Sequence, residues 1–300
     1  TVDVKGNVSQ DTDGNGNSAA LQFSITYDIT APTVAIATSV GSSTNSSFPV
    51  NVSFDENVTG FDSSDVTVGN GSFSSFLGSG SAYTFNVTPS LEGAVNIDIP
   101  AGVAQDAAGN GNGATTQLSI TYDTTPPTVT ISSDLSSPTN ISPIPIKVIF
   151  SESVNGFGSD EVIIGFGALT SFSGADDIYT IDVTPSSDDT IIVKIGTNVA
   201  QDDAGNGNTA STQFKLLYDG TPPQGGLVND GPGDDVDAQI INTSISASWT
   251  GFSDEGTGIA YYEWAVGTSA GGTDVQDWVN VGTSTSETNS SLSLEDGTIY

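Results

Sequence analysis

A ten-residue loop motif followed by a strand motif recurs three times at nearly constant spacing. Residues 8–17 (VSQDTDGNGN), 103–112 (VAQDAAGNGN) and 199–208 (VAQDDAGNGN) each lead, without a gap, to a Q-[FL]-x-[IL]-x-Y-D run and then Thr-x-Pro. The offsets are 95 residues (103 − 8) and 96 residues (199 − 103). That period is too long for a solenoid unit and suits a small all-β domain that folds by itself. A row of similar domains offers no single unique pocket, which argues against an enzyme.

The residues between the motifs also repeat. FPVNVSFDENVTGF at 48–61 aligns with IPIKVIFSESVNGF at 144–157, and YTFNVTP at 83–89 with YTIDVTP at 179–185. Period-two alternation rich in β-branched and aromatic residues places strands near 33–37, 49–54, 65–68, 82–88, 94–99 and 116–122, with equivalents 96 residues later. No segment carries a 3.6-residue amphipathic pattern. Short strands separated by Gly, Asn, Asp and Ser predict antiparallel sandwiches of immunoglobulin type. The expected domains are 29–123 and 124–219. Residues 1–28 read as the C-terminal end of a preceding domain, and a different sandwich spans 220–300. In the latter, 225–237 is expected to be a Gly/Asp-rich loop. The hydrophobic run at Tyr300 reads as a strand cut short, so a fragment of a longer polypeptide is expected.

Charge narrows the partners. Asp and Glu number 36 against 4 Lys and Arg, a formal net charge of −32. Nothing in such a chain neutralises phosphates, so nucleic acid is excluded as a partner. Anionic membrane surfaces are repelled. Self-repulsion of this size favours bound counter-ions, although acidity that merely keeps an extracellular protein soluble is the plainer alternative. The chain has no Cys, His or Met. Disulfides and Ser-His-Asp or Cys-His catalysis are therefore ruled out, and no apolar run is long enough to cross a bilayer. Pro in each Thr-x-Pro linker favours a stiff, extended connection, or simply marks entry into an edge strand.

In immunoglobulin topology the D-x-x-G-N-G-N loop, the loop after the second strand and the entering linker meet at one pole. Asp28, Glu56 and Asp106 are expected to converge there. Asp123, Glu152 and Asp202, with Asp203 beside it, should repeat the arrangement one domain on. Asn110 can add a side-chain oxygen, the first copy of the loop offers Asp11 and Asp13, and Asp219 can pair with Asp254 or Glu255. Carboxylates and carbonyls without His or Cys suit a hard cation, which points to Ca²⁺. The competing reading is an Asp/Asn/Gly turn in which Asp caps its own backbone. Trp249, Trp264 and Trp278, with Tyr261 and Tyr262, suit either core packing or a sugar-stacking face.

The F-[SD]-E-x-V-x-G-F block, the V-T-P strand and the D-x-x-G-N-G-N loop make residues 29–219 resemble the bacterial Ig-like repeats of biofilm-associated surface adhesins. Residues 224–300 resemble fibronectin type III-like modules through S-W-x-G-F-x-D-E and Y-E-W-A-V-G-T. The pair is similar to giant Bacteroidetes adhesins exported by the type IX system for gliding motility. This resemblance implies an all-β chain of tandem immunoglobulin-like β-sandwiches followed by a partial fibronectin type III-like sandwich. It also implies an extracellular place on the bacterial cell surface. Implied partners are neighbouring domains of the same chain, surface polysaccharide and the secretion or motility machinery. The alternatives are a carbohydrate-binding array and a metal-independent structural stalk.

Overall fold

The computed structural model describes residues 1–231 and 238–300; the part of the expected 225–237 loop at 232–237 lies outside them. Two compact units are present, Thr1–Pro126 with Gln201–Asn206, and Pro127–Ala200 with Gly207–Tyr300.

In the first unit, seven strands form two sheets. They are β1 (Val34–Thr38), β2 (Ser43–Thr44), β3 (Phe48–Val58), β4 (Thr67–Gly69), β5 (Gly71–Pro89), β6 (Gly93–Asp98) and β7 (Leu118–Tyr122). One sheet runs β1-β3-β5 and the other β2-β7-β6-β4. Alternation decides which side chains go inside: Phe48, Val50, Val52 and Phe54 of β3 are buried, while Pro49, Asn51 and Ser53 between them are exposed. They meet Val95, Ile97 and Ile120 from the opposing sheet in one core. Phe54, Phe61 and Tyr83 pack edge to face at its end, with ring centroids 4.9–6.1 Å apart, the arrangement that the aromatic quadrupole favours.

The second unit repeats this plan with β8 (Val129–Ser132), β9 (Ile144–Phe150), β10 (Val162–Gly165), β11 (Gly167–Ala175), β12 (Ile178–Pro185), β13 (Asp189–Ile195) and β14 (Phe214–Tyr218). Its sheets run β8-β9-β12-β11 and β10-β13-β14. Five further strands, β15 (Leu227–Asp230), β16 (Ile245–Thr250), β17 (Glu263–Val266), β18 (Gln276–Asn280) and β19 (Ser286–Asn289), form the sheets β15-β16-β19 and β17-β18. Trp249, Trp264 and Val266 are their core, so those two Trp residues pack inward, whereas Trp278 and Tyr261 remain exposed.

Three features depart from the strand pattern read in the sequence. Gly71–Pro89 is strand throughout and doubles back on itself: a Cβ on Gly71 would meet Thr88 O, and one on Gly78 would meet Ala82 O. The turn is made by Gly80 at φ +65. Leu227–Asp230, inside the expected loop, pairs with β16. Residues 63–65 and 159–161 form single 3-10 turns; the first is capped by Asp62, whose carboxylate accepts from Ser64 N at 2.7 Å.

The last Asn of the loop motif is a structural bridge. Asn112 is buried, accepts from Ala104 N at 2.8 Å and donates to Pro100 O and Gly113 O at 3.0 and 2.7 Å. Asn208 makes the equivalent bonds in its own copy. Asn112→Ala leaves the buried Ala104 N–H and two part-buried carbonyls without this partner, a loss of about 1–3 kcal/mol. We expect a lower Tm in calorimetry, by the same amount with and without Ca²⁺.

Candidate metal centre

Each position of the loop motif has a physical task. Asp106 Oδ1 accepts from Ala108 N and Asn110 N at 2.9 and 2.8 Å, and its Oδ2 accepts from Asn110 Nδ2 at 2.8 Å. The turn this closes requires Gly109 at φ +94, a left-handed conformation that favours glycine. The second glycine is needed for close approach: a Cβ on Gly111 would sit 3.1 Å from Gly102 Cα, and one on Gly207 would sit 2.1 Å from Asn198 Oδ1.

The loop is then fastened to its surroundings. Thr59 N donates to Gln105 O at 2.7 Å and Gln105 N to Thr59 O at 2.9 Å, tying the chain just beyond β3 to the loop. Asn110 Nδ2 also donates to Asp28 O in the entering linker at 3.2 Å. Asp55 grips the same linker further on, accepting from Thr33 N and Thr33 Oγ1 at 2.8 and 2.7 Å. With these ties in place, one carboxylate oxygen from each of Asp28, Glu56 and Asp106 lies within 4.8 Å of the others. Asp106 is buried, Glu56 half-buried and Asp28 exposed.

The electrostatics are uneven. Burial pushes the Glu56 carboxyl above the usual glutamate range, and the neighbouring charges of Asp106, Asp28 and Asp55 push the same way. Asp106 is held below the usual aspartate range, first by the Asn110 side-chain amide, against its own burial. The site therefore pairs a firmly ionised Asp106 with a Glu56 whose charge is disfavoured. Oxygens sharing one Ca²⁺ at 2.3–2.6 Å lie at most ~5.2 Å apart, so the three carboxylates fit a single ion of that type.

Several site residues read from the sequence are placed differently. Asn110 presents its amide nitrogen to Asp106 and to the linker carbonyl, so it positions the acidic groups. In the first copy, Asp11 Oδ1 accepts from Asp13 N and Asn15 N, and Oδ2 from Asn15 Nδ2, at 2.9–3.0 Å. Among the described residues, however, no further carboxylate joins Asp11 and Asp13. Asp219 Oδ2 accepts from Thr257 N at 2.8 Å, and Asp254 Oδ1 accepts from Gly256, Thr257 and Gly258 N. Both serve the 254–258 turn, whose Gly256 leaves no room for a Cβ beside the Asp219 carboxylate. Glu255 and Asp203 are exposed and join no acidic group among the described residues.

Asp123 and Asp202 repeat part of the first arrangement. Asn206 Nδ2 donates to Asp202 Oδ2 and to Asp123 O, both at 2.9 Å, and the two carboxylates approach within 4.8 Å. Glu152, the counterpart of Glu56, is half-buried in the loop after β9 of the second unit.

Two acidic residues outside these sets hold linkers directly. Glu92 Oε1 accepts from Thr124 N, Thr124 Oγ1 and Thr125 Oγ1 at 3.0, 2.6 and 2.9 Å. These bonds, that of the Thr124 hydroxyl foremost, hold its carboxyl below the ordinary range. Asp188 accepts from Gly220 N at 2.7 Å and from Thr221 Oγ1. The signal for this pair lay in the repeat itself, since 92 + 96 = 188 and both positions are acidic.

A family model described as a bacterial Ig-like domain matches residues 28–122 and again 123–218. No curated protein matches the chain.

Two outcomes follow from this geometry. A glutamate whose folded pKa is raised contributes its full stability below the unfolded pKa and loses it as pH rises through the folded value. In chelator, Glu56→Gln should therefore match wild type near about pH 4 and melt higher at neutral pH; a difference that does not vary with pH would refute the crowding. Glu92→Ala should speed amide exchange at Thr124 on the order of tenfold, the loss of roughly one charge-assisted hydrogen bond. Unchanged protection at Thr124 would show that the clamp is idle.

Proposed function

Because the chain belongs to the bacterial Ig-like domain family, whose domains are generally structural, we propose that residues 28–218 form a Ca²⁺-stiffened, non-enzymatic stalk within a large surface adhesin. The observation that carries the cation is the convergence of Asp28, Glu56 and Asp106 from three separate stretches of sequence. The raised Glu56 carboxyl adds to it, because crowded like charge is what a divalent ion relieves. Asp28 belongs to the entering linker, so an ion bridging it to Glu56 and Asp106 fixes that linker to the top of the first sandwich. Placement outside a bacterial cell, in an adhesin like the type IX-exported gliding proteins, rests on the motif resemblance of 29–219 and 224–300.

A metal-independent stalk is the second reading, and one observation favours it. The Asp11 loop closes the same hydrogen-bond network as the Asp106 loop although, among the described residues, no third carboxylate joins it. Loop geometry therefore does not discriminate, whereas the contribution of Glu56 does.

Calorimetry of the full chain separates the two. Millimolar Ca²⁺ at a micromolar site adds about 4 kcal/mol, which for a domain of this size raises Tm by roughly 15–30 °C. Glu56→Gln should remove most of that rise in the first sandwich while leaving it folded in chelator. Identical wild-type melting curves in Ca²⁺ and in chelator would establish the metal-independent stalk. Asp106→Asn is the poorer probe, since Asp106 also closes its own turn.

A further inference from the structure

The two repeats share a backbone plan but differ sharply on one sheet face. In the first sandwich, the outward side chains of β4, β6 and β7 include Thr67, Asn96, Asp98, Ser119 and Thr121. The ladder sets Thr67 opposite Asp98 and Asn96 opposite Ser119. The positions 96 residues on carry Ile163, Ile192, Lys194, Lys215 and Leu217. The register is the same, with Ile163 opposite Lys194 and Ile192 opposite Lys215. A polar, acidic face has become an apolar, cationic one.

This face carries two of the four lysines in a chain of net charge −32. Among the described residues Lys194 and Lys215 make no ion pair, while Lys147 is paired to Asp134. They lie diagonally on adjacent strands, about 7–8 Å apart at Cα, with Ile192 beside them. Ile163 is 48% exposed. At the corner, Phe166 stands 52% exposed in the β10–β11 turn at φ +62, where the first sandwich has Asn70 at φ +59. A bulky side chain is rare in that backbone region, whereas Asn adopts it readily. Solvation does not explain why Ile163 and Phe166 are exposed, and Ile192 and Leu217 half-buried, on this face while the equivalent positions of the first sandwich are polar.

The geometry points to a docking surface for a second copy of this chain: the outer face of β10-β13-β14 of one copy against the outer face of β4-β6-β7 of another. Two copies of the same face would set lysine against lysine. The first-sandwich face instead places the Asp98 carboxylate at the position equivalent to Lys194, opposite Thr67 and next to Asn96 on the same face. Asp98 accepts one bond from Gln117 Nε2 at 2.6 Å through Oδ2. Contact between different faces is heterologous, so it either closes through a reciprocal pair or ring or extends as an open lateral assembly. The face is small beside a standard interface; single-chain association is weak and strengthens only when several contacts act in parallel.

Sedimentation velocity on the full chain, in chelator, over about 1–500 µM and at ~0.15 M and ~1 M salt, tests this. Mass should grow with concentration, and ~1 M salt should favour this by screening the long-range repulsion between copies of net charge −32. Exchanging the five positions for their first-sandwich counterparts (Ile163→Thr, Ile192→Asn, Lys194→Asp, Lys215→Ser, Leu217→Thr) should weaken association at least tenfold. Lys194→Asp with Lys215→Ser is the milder variant should that exchange misfold. Asp98→Lys alone should also weaken it, and mixing the Asp98→Lys chain with the Lys194→Asp chain should restore the 98–194 contact. A monomer at every concentration overturns the proposal, as does association indifferent to these changes. Retention of the monomeric chain on polygalacturonate, lost on the five-residue exchange, would assign the face to an acidic glycan and overturn it equally. Working in chelator keeps the outcome independent of the metal reading.

Discussion

One side-chain amide ties the architecture of the first sandwich to its acidic pole. Asn110 Nδ2 donates at once to the Asp106 carboxylate and to the backbone carbonyl of Asp28. The first bond closes the loop and the second pins the incoming chain to it. Like charges that would otherwise drift apart in water are thereby held within reach of one another. An amide suits this task because it is neutral and carries two donors. A lysine there would neutralise the carboxylates and leave nothing for a cation to bind.

Two kinds of holding coexist at the linkers. Glu92 and Asp188 grip hydroxyl and amide donors and gain from being ionised. Glu56 suffers from being ionised, because burial and then the charges of Asp106, Asp28 and Asp55 disfavour its carboxylate. Carboxylates of the first kind need no metal, and their depressed pKa values show that the fold already stabilises the charge. The second kind is where a counter-ion has most to offer. Among the described residues Glu56 is a carboxylate whose charge the fold works against, and it lies beside two other carboxylates.

Much of this was legible in the sequence because a repeat is its own control. The loop motif predicted a turn whose Asp, Gly and Asn each had a reason to recur, and alternation in 48–54 and 144–150 predicted the buried rows of β3 and β9. What stayed hidden involved partners that sequence order does not show. Residues 71–81 (GSFSSFLGSGS) look like a flexible loop, yet Phe73 and Phe76 pack against Phe85 and Tyr83, and those contacts make a strand of them. Asn110 was assigned an oxygen toward the ion because its orientation depends on Asp28 O, 82 residues away. Asp11 and Asp13 carry the same loop motif, but among the described residues no third carboxylate joins them.

Differences between repeats then carry more information than their likeness. Residues that recur at 96-residue spacing, such as Val52 and Val148 or Asn112 and Asn208, are buried and serve the fold. Pairs that change chemistry on an exposed face, such as Asp98 and Lys194 or Thr67 and Ile163, owe nothing to the core, because both versions fold on the same backbone. Burial energy does not select an exposed isoleucine over a threonine at such a position; something outside the sandwich must. The same comparison separates the loops from the faces: Glu56 and Glu152 are identical in the loops around the ends of β3 and β9, whereas the outer faces diverge. Units built this way keep their loops constant and vary their sides, and the side chains there can change without touching the core.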